Sequence, residues 1–130
     1  MTPSLRIAVA DDEPEMWEYF REILPRFGHH VVAVASNGRE LVEQCRATKP
    51  DLVISDINMP EMDGVTAAAI LCRERPVPVI FVSANEDPDL GMCADLGVVV
   101  GHVDKPLKLA ELRPMITKAF FRVEADCAVV

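Results

Sequence analysis

Acidic side chains follow two short apolar runs of the sequence. Asp11 and Asp12 come directly after residues 5–10, and Asp56 follows residues 52–55. Two carboxylates about 4 Å apart repel each other by about 4 kcal/mol at an effective dielectric constant of about 20. Three such groups in one place require protons or a cation, and a hard ion such as Mg²⁺ prefers an oxygen-rich, partly hydrated site. The acids therefore predict a magnesium site if both runs end at one edge of a sheet.

Two further polar residues end apolar runs in the second half of the chain. Ser83 follows residues 77–82, and Lys105 comes shortly after residues 98–103. Lys105 can offset one of the three negative charges. Taken alone, Asp11 and Asp12 are better explained as solvated loop acids, but the matching positions of Asp56, Ser83 and Lys105 argue against that explanation. Three carboxylates, one hydroxyl and one ammonium group are expected to converge.

The elements that would position these residues alternate along the chain. Short apolar runs predict strands at residues 5–10, 30–35, 52–55, 77–82 and 98–103. Apolar residues three and four apart predict helices at about 14–27, 39–47, 65–75, 87–97 and 107–121. This alternation requires crossover connections and a parallel sheet covered on both faces. The predicted fold class is α/β, a doubly wound five-stranded sandwich of three layers, with its functional crevice at the carboxyl ends of the strands.

Proline and glycine residues mark several boundaries of these elements. Pro14 suits the first turn of the first helix, and Gly28 ends that helix. Gly64 is predicted to allow either a turn with positive φ or a close approach of the backbone to the site. Pro114 either kinks the last helix or marks its true first turn. Residues 122–130 are predicted to form a frayed tail.

Composition limits the class of protein. The 130 residues predict a single domain over residues 1–130, with its core at about residues 5–121. The net charge of -8 makes nucleic acid an unexpected partner. No apolar run approaches about 18 residues and no signal peptide is evident, so no membrane association is expected. The chain has neither a CxxC pair nor a zinc-binding spacing, which favours reduced thiols and a cytoplasmic location for Cys45, Cys72, Cys93 and Cys127.

A nucleotide-binding function is disfavoured by the first loop. A phosphate-binding turn needs glycines and free backbone amides, whereas this loop carries Asp11, Asp12, Glu13 and Pro14. The sequence contains no Walker motif and no GxSxG nucleophile elbow. Glu13 is predicted to be a solvated acid, with support of the site as the alternative. Trp17, on the first predicted helix, is expected to have a core or surface role.

Four motifs in this order resemble the receiver domain of two-component response regulators, in a stand-alone form like the chemotaxis regulators. They are the acidic pair at 11–12, the stretch DINMPEMDG at 56–64, the Ser83-Ala84 pair and Lys105-Pro106. The resemblance covers about residues 5–121, and the stretch at 56–64 is its most specific part. It implies a flavodoxin-like fold and the transfer of a phosphoryl group. A weaker similarity, at residues 73–78 and 111–116, is to the receiver halves of RNA-binding antiterminators.

The resemblance implies a role for each acidic residue. Asp56 would be the phosphoacceptor, whose carboxylate becomes an acyl phosphate. Mg²⁺ would be held by Asp12, by Asp56 and by the backbone carbonyl of Asn58, while Asp11 would act mainly through water. Such chemistry agrees with the physics of phosphoryl transfer, where catalysis consists of positioning and cationic stabilisation.

The resemblance also implies a conformational switch. Lys105 would pair with the phosphoryl oxygens, and Ser83 would hydrogen-bond to the phosphoryl group and move toward it. The family often has a cis peptide at Lys105-Pro106, which the sequence leaves open. The family commonly has Tyr or Phe where His102 stands here, and the fifth strand, with Gly101, is one residue longer than usual. A β-bulge would absorb the extra residue. His102 is either a switch residue or an exposed strand residue.

Three functions are compatible with these features. In the first, a histidine kinase or histidine phosphotransfer protein phosphorylates Asp56, and the face of the fourth helix, fifth strand and fifth helix docks an unknown protein target. In the second, the chain is a phosphorelay shuttle or phosphate sink. The third, a phosphatase, is disfavoured because haloacid dehalogenase-like enzymes need a DxD motif and this chain has Asp56-Ile57-Asn58. We therefore expect no enzyme activity beyond self-phosphorylation and self-dephosphorylation, and a monomer or weak dimer.

Overall fold

The structure, a computed structural model, describes residues 4–84 and 98–128, with side chains as far as Phe121. Five strands and four α-helices are present in these ranges. The strands are β1 (Arg6–Ala10), β2 (His30–Ala35), β3 (Leu52–Asp56), β4 (Val79–Ser83) and β5 (Val99–Asp104). The helices are α1 (Pro14–Ile23), α2 (Gly38–Thr48), α3 (Gly64–Glu74) and the C-terminal helix (Leu109–Ala128). The predicted helix at 87–97 lies outside the described residues.

All five strands pair in parallel in the order β2-β1-β3-β4-β5. The chain reverses its direction of travel across the sheet at β1, which has β2 on one side and β3 on the other. Parallel sheets of this kind bind ligands where the strand order reverses, outside the carboxyl ends of the strands. The topology therefore directs attention to the loops that follow β1 and β3.

Helices cover both faces of the sheet. On one face, residues such as Ile7, Ile54 and Val82 pack with the buried sides of α1 and the C-terminal helix. On the other face, Val53 and Phe81 pack with α2 and α3. Every residue of β3 and β4 is buried, because these central strands have apolar neighbours above and below. The predicted three-layer α/β sandwich is confirmed.

Short polar residues begin the second and third helices. The side chain of Asn37 accepts a hydrogen bond from the N–H of Glu40 at 2.8 Å, and that of Asp63 accepts one from the N–H of Thr66 at 2.7 Å. These caps satisfy donors that have no partner inside the helix. The cap at Asp63 fixes where α3 begins, a short loop after the carboxyl end of β3.

Several boundaries differ from those that the sequence predicts, most clearly in the first and last helices. Helix α1 ends at Ile23 rather than near Gly28, and a 3₁₀ turn at Pro25–Phe27 follows, because Pro25 lacks the N–H that would continue the helix. The C-terminal helix continues to Ala128, so the prediction of a frayed tail is wrong for residues 122–128. No glycine or proline stands between Pro114 and Ala128 to stop it. Pro114 is the sixth residue of this helix, not part of its first turn.

The fifth strand contains the predicted bulge. Val79 pairs with Val99 but Ile80 pairs with Gly101, so Val100 has no partner residue in β4. The bulge absorbs the extra residue, and the pairing beyond it is regular. Phe81 lies beside His102, and Ser83 lies beside Asp104. Within the described ranges, no helix is both long enough and apolar enough to cross a membrane.

Candidate functional site

The first strand presents Asp11 at the carboxyl edge of the sheet. Asp11 immediately follows β1 and is only 2% exposed. Its N–H donates to the carbonyl of Ala35 at 3.0 Å, which extends the pairing of β1 with β2 by one residue. Its Oδ1 accepts a hydrogen bond from the N–H of Glu13 at 2.9 Å. Both the backbone and the carboxylate of Asp11 are therefore held in one orientation. The side chain of the next residue, Asp12, is exposed.

The third strand presents Asp56 in the same way. Asp56 is the last residue of β3 and is 6% exposed. The Ser55 hydroxyl donates to the carbonyl of Asp56 at 2.7 Å. A Cβ on Gly64 would collide with that same carbonyl oxygen, so the close approach predicted for Gly64 is confirmed. The alternative, a positive φ, is wrong, since Gly28 is the one glycine with positive φ among the described residues.

Lys105 joins the two buried acids. Its ammonium nitrogen lies 3.0 Å from Oδ2 of Asp11 and 3.1 Å from Oδ2 of Asp56. The backbone N–H of Lys105 donates to the carbonyl of Ser83 at 2.9 Å, so the end of β4 positions the lysine. The peptide between Lys105 and Pro106 is cis. One cation thus touches two carboxylates that come from separate strands.

The charges of this cluster are only partly balanced. Burial raises the pKa of Asp11 above its usual value, although the Glu13 N–H and Lys105 oppose the shift. Burial works to lower the pKa of Lys105, but its hydrogen bonds to Asp11 and Asp56 outweigh burial and raise that pKa. The lysine is therefore held firmly in its charged form. A second cation is needed to neutralise the three acids fully.

The donor atoms suit a hard divalent cation. Carboxylate oxygens of Asp11, Asp12 and Asp56 all lie within 4.8 Å of one another. Two of these acids are buried and the third is exposed, so one side of the cluster is open to water. Mg²⁺ prefers oxygen ligands and usually keeps several of its waters, so this arrangement fits it. Asn58 is exposed, and its N–H lies 3.3 Å from Oδ1 of Asp56, which places its backbone next to the cluster.

Comparison with known proteins identifies this arrangement. Residues 7–117 match the family model described as the response regulator receiver domain. The chain belongs to the response regulator receiver family. It is thus a receiver of two-component signalling, and the fold described above is that of a receiver.

Relatives of this receiver have different outputs. Over 81 residues it is 46% identical to a protein-glutamate methylesterase/protein-glutamine glutaminase 2 of Carboxydothermus hydrogenoformans, covering 62% of this chain and 23% of the relative. Over 117 residues it is 33% identical to the transcriptional regulatory protein PdtaR of Mycobacterium tuberculosis, covering 90% of this chain and 57% of the relative. The chain thus spans less than two thirds of the length of either relative.

A solved receiver has the same fold. The CheX-CheY-BeF3-Mg²⁺ complex from Borrelia burgdorferi contains a chain that superposes on this one with a TM-score of 0.78 at 26% identity. The superposition covers 88% of each chain. That complex includes both a beryllofluoride and a magnesium ion.

The side chain at the expected switch position is half-buried in this receiver. The side chain of His102 is 17% exposed, and its Nδ1 lies 3.5 Å from Oδ1 of Asp104. Its Nε2 is buried and has no hydrogen-bond partner among the residues that the structure describes. The interpretation of His102 as an exposed strand residue is therefore wrong. Ser83, fully buried at the end of β4, lies one strand away.

Two contacts of the site were missed by the sequence analysis. The Ser55 hydroxyl lies against the backbone of Asp56, and the Trp17 indole N–H donates to the carbonyl of Asp11 at 2.6 Å. Ser55 was missed because it is a single polar residue inside an apolar strand. Its side chain and that of Asp56 point to opposite faces of the strand, so the alternating pattern does not link it to the site. The sequence pattern of Trp17 is that of any aromatic residue on an amphipathic helix. Its contact with the residue after β1 depends on the orientation of α1, which the pattern does not predict. The carboxylate of Glu13 is exposed, and the contact of this residue with the site is made by its N–H.

Proposed function

We propose that this receiver accepts a phosphoryl group on Asp56 from a histidine kinase or a histidine phosphotransfer protein. The observation that carries the proposal is the contact of Lys105 with Asp11 and Asp56 at 3.0 and 3.1 Å, inside a cluster that still has excess negative charge. Such a site attracts cations and can stabilise the charge of a transferring phosphoryl group. Asp56 is the proposed nucleophile because its carboxylate, at the end of β3, contacts Lys105 at 3.1 Å and begins the DINMPEMDG stretch that resembles the family most specifically.

In the proposed reaction a carboxylate oxygen of Asp56 attacks phosphorus. A P–O bond forms while the P–N bond of the phosphohistidine breaks, and the departing imidazole of the donor takes up a proton. Lys105 lies within hydrogen-bond distance of Asp56 and would neutralise charge on the phosphoryl oxygens. Ser83 would hydrogen-bond to the new phosphoryl group. Because phosphoryl transfer depends on positioning and charge neutralisation, these two residues suffice as the protein's own contribution beside the metal ligands.

Mg²⁺ is the proposed cofactor. Asp12, Asp56 and the backbone carbonyl of Asn58 would bind it directly, and Asp11 would act through water. When bound, the ion would supply the positive charge that the phosphoryl oxygens and the excess carboxylates require. Exposure of Asp12 leaves room for the waters that Mg²⁺ retains.

The proposed output is a conformational change read by a protein target. Ser83 and His102 lie on neighbouring strands, and the partial burial of the His102 ring supports a role for it in that change. The change would reach the face formed by the fourth helix, fifth strand and fifth helix that the sequence predicts. We propose no enzyme activity beyond self-phosphorylation and self-dephosphorylation, no nucleic-acid partner, a cytoplasmic location, and a monomer or weak dimer.

Phosphorylation with acetyl phosphate tests the site. The wild-type protein is expected to gain one phosphoryl group at Asp56 by mass spectrometry, and EDTA is expected to prevent it. Asp56→Asn should remain unmodified. The matched control is Asp63→Asn, because Asp63 is a nearby exposed acid whose helix-capping role asparagine preserves. Modification of Asp56→Asn to the wild-type level at another residue, or no effect of EDTA, would refute the site.

A second experiment separates docking from relay. Phosphorylated protein is incubated with candidate histidine phosphotransfer proteins, and the label on both partners is followed over time. Retention of the label on the receiver supports signalling by docking. Rapid movement of the label to a histidine protein would instead establish the shuttle or phosphate sink as its function.

A further inference from the structure

The single tryptophan of the chain contacts the backbone of the acidic edge. Trp17 lies at the fourth position of α1, and its indole N–H donates to the carbonyl of Asp11 at 2.6 Å. The side chain is half-buried, so the bond is partly shielded from water. Trp17 touches neither Lys105 nor a carboxylate oxygen in any described hydrogen bond, and its contact is with the peptide that joins Asp11 to Asp12.

This peptide has few other restraints on its Asp12 side. Glu13, the residue before α1, makes no side-chain cap, and Pro14 has no N–H to donate. The Glu13 N–H binds the Asp11 carboxylate, and the Asp11 N–H binds Ala35. The bond to Ala35 holds Asp11 itself, and the bond from Glu13 closes a turn around Asp12 without contacting the Asp11 carbonyl. The Asp11 carbonyl is held by Trp17.

Holding that carbonyl fixes the direction of Asp12. A trans peptide is planar, so the orientation of the Asp11 C=O also sets the position of the nitrogen and Cα of Asp12. Asp12 is the exposed acid of the cluster, whereas Asp11 and Asp56 are buried and are restrained by the residues around them. An indole N–H provides this restraint without a formal charge. A lysine or arginine in the same place would compete with Lys105 and with a metal ion for the carboxylates.

We propose that Trp17 is a positioning residue for the phosphorylation site, which holds the Asp11–Asp12 peptide so that Asp12 faces the metal site. The inference rests on the proposed function, because it assumes that Asp12 binds Mg²⁺. Residues that orient metal ligands typically change metal affinity about 10- to 100-fold when they are replaced. Trp17 acts through the backbone of one ligand, so an effect of about tenfold is expected.

The test compares Trp17→Phe with wild type. Phenylalanine keeps an aromatic ring but lacks the N–H donor. Calorimetric titration with MgCl₂ is expected to show a Kd about tenfold higher for the variant, while thermal unfolding in EDTA changes little. Tyr19→Phe is the matched control, since it alters another aromatic residue of α1 and should bind Mg²⁺ like wild type. A Kd for Trp17→Phe within twofold of the wild-type value, whatever its thermal stability, would overturn the proposal.

The kinetics of phosphorylation give a second readout. With acetyl phosphate and Mg²⁺ below its wild-type Kd, Trp17→Phe should react about tenfold more slowly than wild type. At saturating Mg²⁺ the two rates should converge, because the variant then carries its metal. A deficit that persists at saturating Mg²⁺ would show that Trp17 does not act through metal binding.

A measurement on the wild type covers the case of a variant that does not fold. The single tryptophan gives one indole N–H resonance in a ¹⁵N spectrum, and that resonance should shift during a MgCl₂ titration with the midpoint measured by calorimetry. An indole resonance that stays in place while Mg²⁺ binds would overturn the proposal. Failure of wild type to bind Mg²⁺ or to be modified on Asp56 would instead refute the proposed function, and so the two failures can be told apart.

Discussion

The charged groups at the carboxyl edge of the sheet are buried and only partly paired, whereas those at the amino edge are exposed or have local partners. At the carboxyl edge, carboxylates of Asp11, Asp12 and Asp56 lie within 4.8 Å of one another, and Lys105 contacts those of Asp11 and Asp56. Two of these acids are buried. Burial weakens the screening by water, so the remaining repulsion is a real cost to the folded state.

At the amino edge the charged groups have local partners. The Arg6 guanidinium donates to the carbonyls of Thr48 and Lys49 at the end of α2. The Arg46 guanidinium forms hydrogen bonds of 2.6–3.2 Å with the carboxylate of Glu74, and both side chains are exposed. Arg75 donates to the carbonyl of Pro50 at 2.6 Å.

A cleft of about 280 Å³ lies between α2 and α3 at this amino edge. The thiol of Cys45 lines it, and burial raises the pKa of that thiol to about 12. Such a thiol stays protonated at neutral pH and is a poor nucleophile or metal ligand. The cations around the cleft lie at the C-terminal ends of two helices, where the helix dipole favours positive charge.

The difference shows where a ligand is needed. Charges that are exposed or matched locally need no further ion, and their replacement should matter little. Where charges are buried and unmatched, we expect stability to respond to an added cation. The following predictions test this contrast, from the largest expected effect to the smallest.

The largest effect is expected at Lys105. Lys105→Met leaves two buried carboxylates without their cation, and breaking a buried ion pair typically costs about 3 kcal/mol or more of the free energy of unfolding. Urea unfolding in EDTA measures the loss, and added MgCl₂ should restore part of it.

Arg46→Gln is the control for this prediction at the amino edge. Arg46 and Glu74 form an exposed pair, and such pairs contribute little because water and salt screen them. Its unfolding curve should match that of wild type. Equal losses in the two variants would contradict the contrast between the edges.

The next effect is the response of stability to Mg²⁺. A ligand that binds only the folded state at 100 times its Kd raises the free energy of unfolding by about 2.7 kcal/mol. Asp12→Ala should lose this increase and should be more stable than wild type in EDTA by about 1 kcal/mol, since one repelling charge near 5 Å is gone. A wild-type increase in melting temperature that survives in Asp12→Ala would show that Asp12 is no direct ligand.

A pH effect is expected at the amino edge, where His29 is buried. The Leu5 N–H donates to Nδ1 of His29 at 3.1 Å, so the folded state needs the neutral imidazole. Burial and the nearby His30 lower the pKa of His29. The unfolded imidazole, with a pKa near 6.5, then binds protons more readily, so stability is present above that pH and is lost as pH falls below it, by at most about 1.4 kcal/mol per pH unit.

Unfolding by urea between pH 7.5 and 5.5 measures this loss. His29→Gln should flatten the profile, because the amide does not titrate in this range. His30→Gln changes an exposed neighbour and should keep the acid sensitivity. A profile that is unaffected by His29→Gln would assign the acid sensitivity to other groups.

The smallest effects concern the backbone and should be equal at both edges. Lys49 at the amino edge has φ 49°, and Glu61 in the loop after β3 has φ 65°. Both values favour glycine, so Lys49→Gly and Glu61→Gly should each raise the free energy of unfolding by about 0.5 kcal/mol. Gln44→Gly, in the middle of α2, is the control and should lower it by about 1 kcal/mol. A loss of stability in either positive-φ variant would contradict the prediction.

The alternation of strands and helices was predictable because it depends on local pattern. Apolar runs at residues 52–55 and 77–82 predict strands that are buried on both faces of a parallel sheet, and the residues after them must then meet at one edge. For that reason the sequence predicts that Asp11, Asp56 and Lys105 lie together. The bulge in β5 was predictable from the resemblance to receiver domains, because the fifth strand, with Gly101, is one residue longer than is usual in that family.

Tertiary packing decided what local pattern leaves open. The Lys105 ammonium contacts carboxylates that are 94 and 49 residues away in the chain, and only the assembled sheet brings the three groups to hydrogen-bond distance. Gly64 is required because its backbone approaches the Asp56 carbonyl closely, and not because of its φ. That close approach depends on how α3 packs against β3. The partial burial of His102, whose side chain is 17% exposed, depends on the packing around β5 rather than on the sequence of the strand. The bond from Trp17 to Asp11 depends on the angle at which α1 leaves β1. The helical pattern predicts that Trp17 lies on an amphipathic helix, but it does not predict which carbonyl the indole N–H binds.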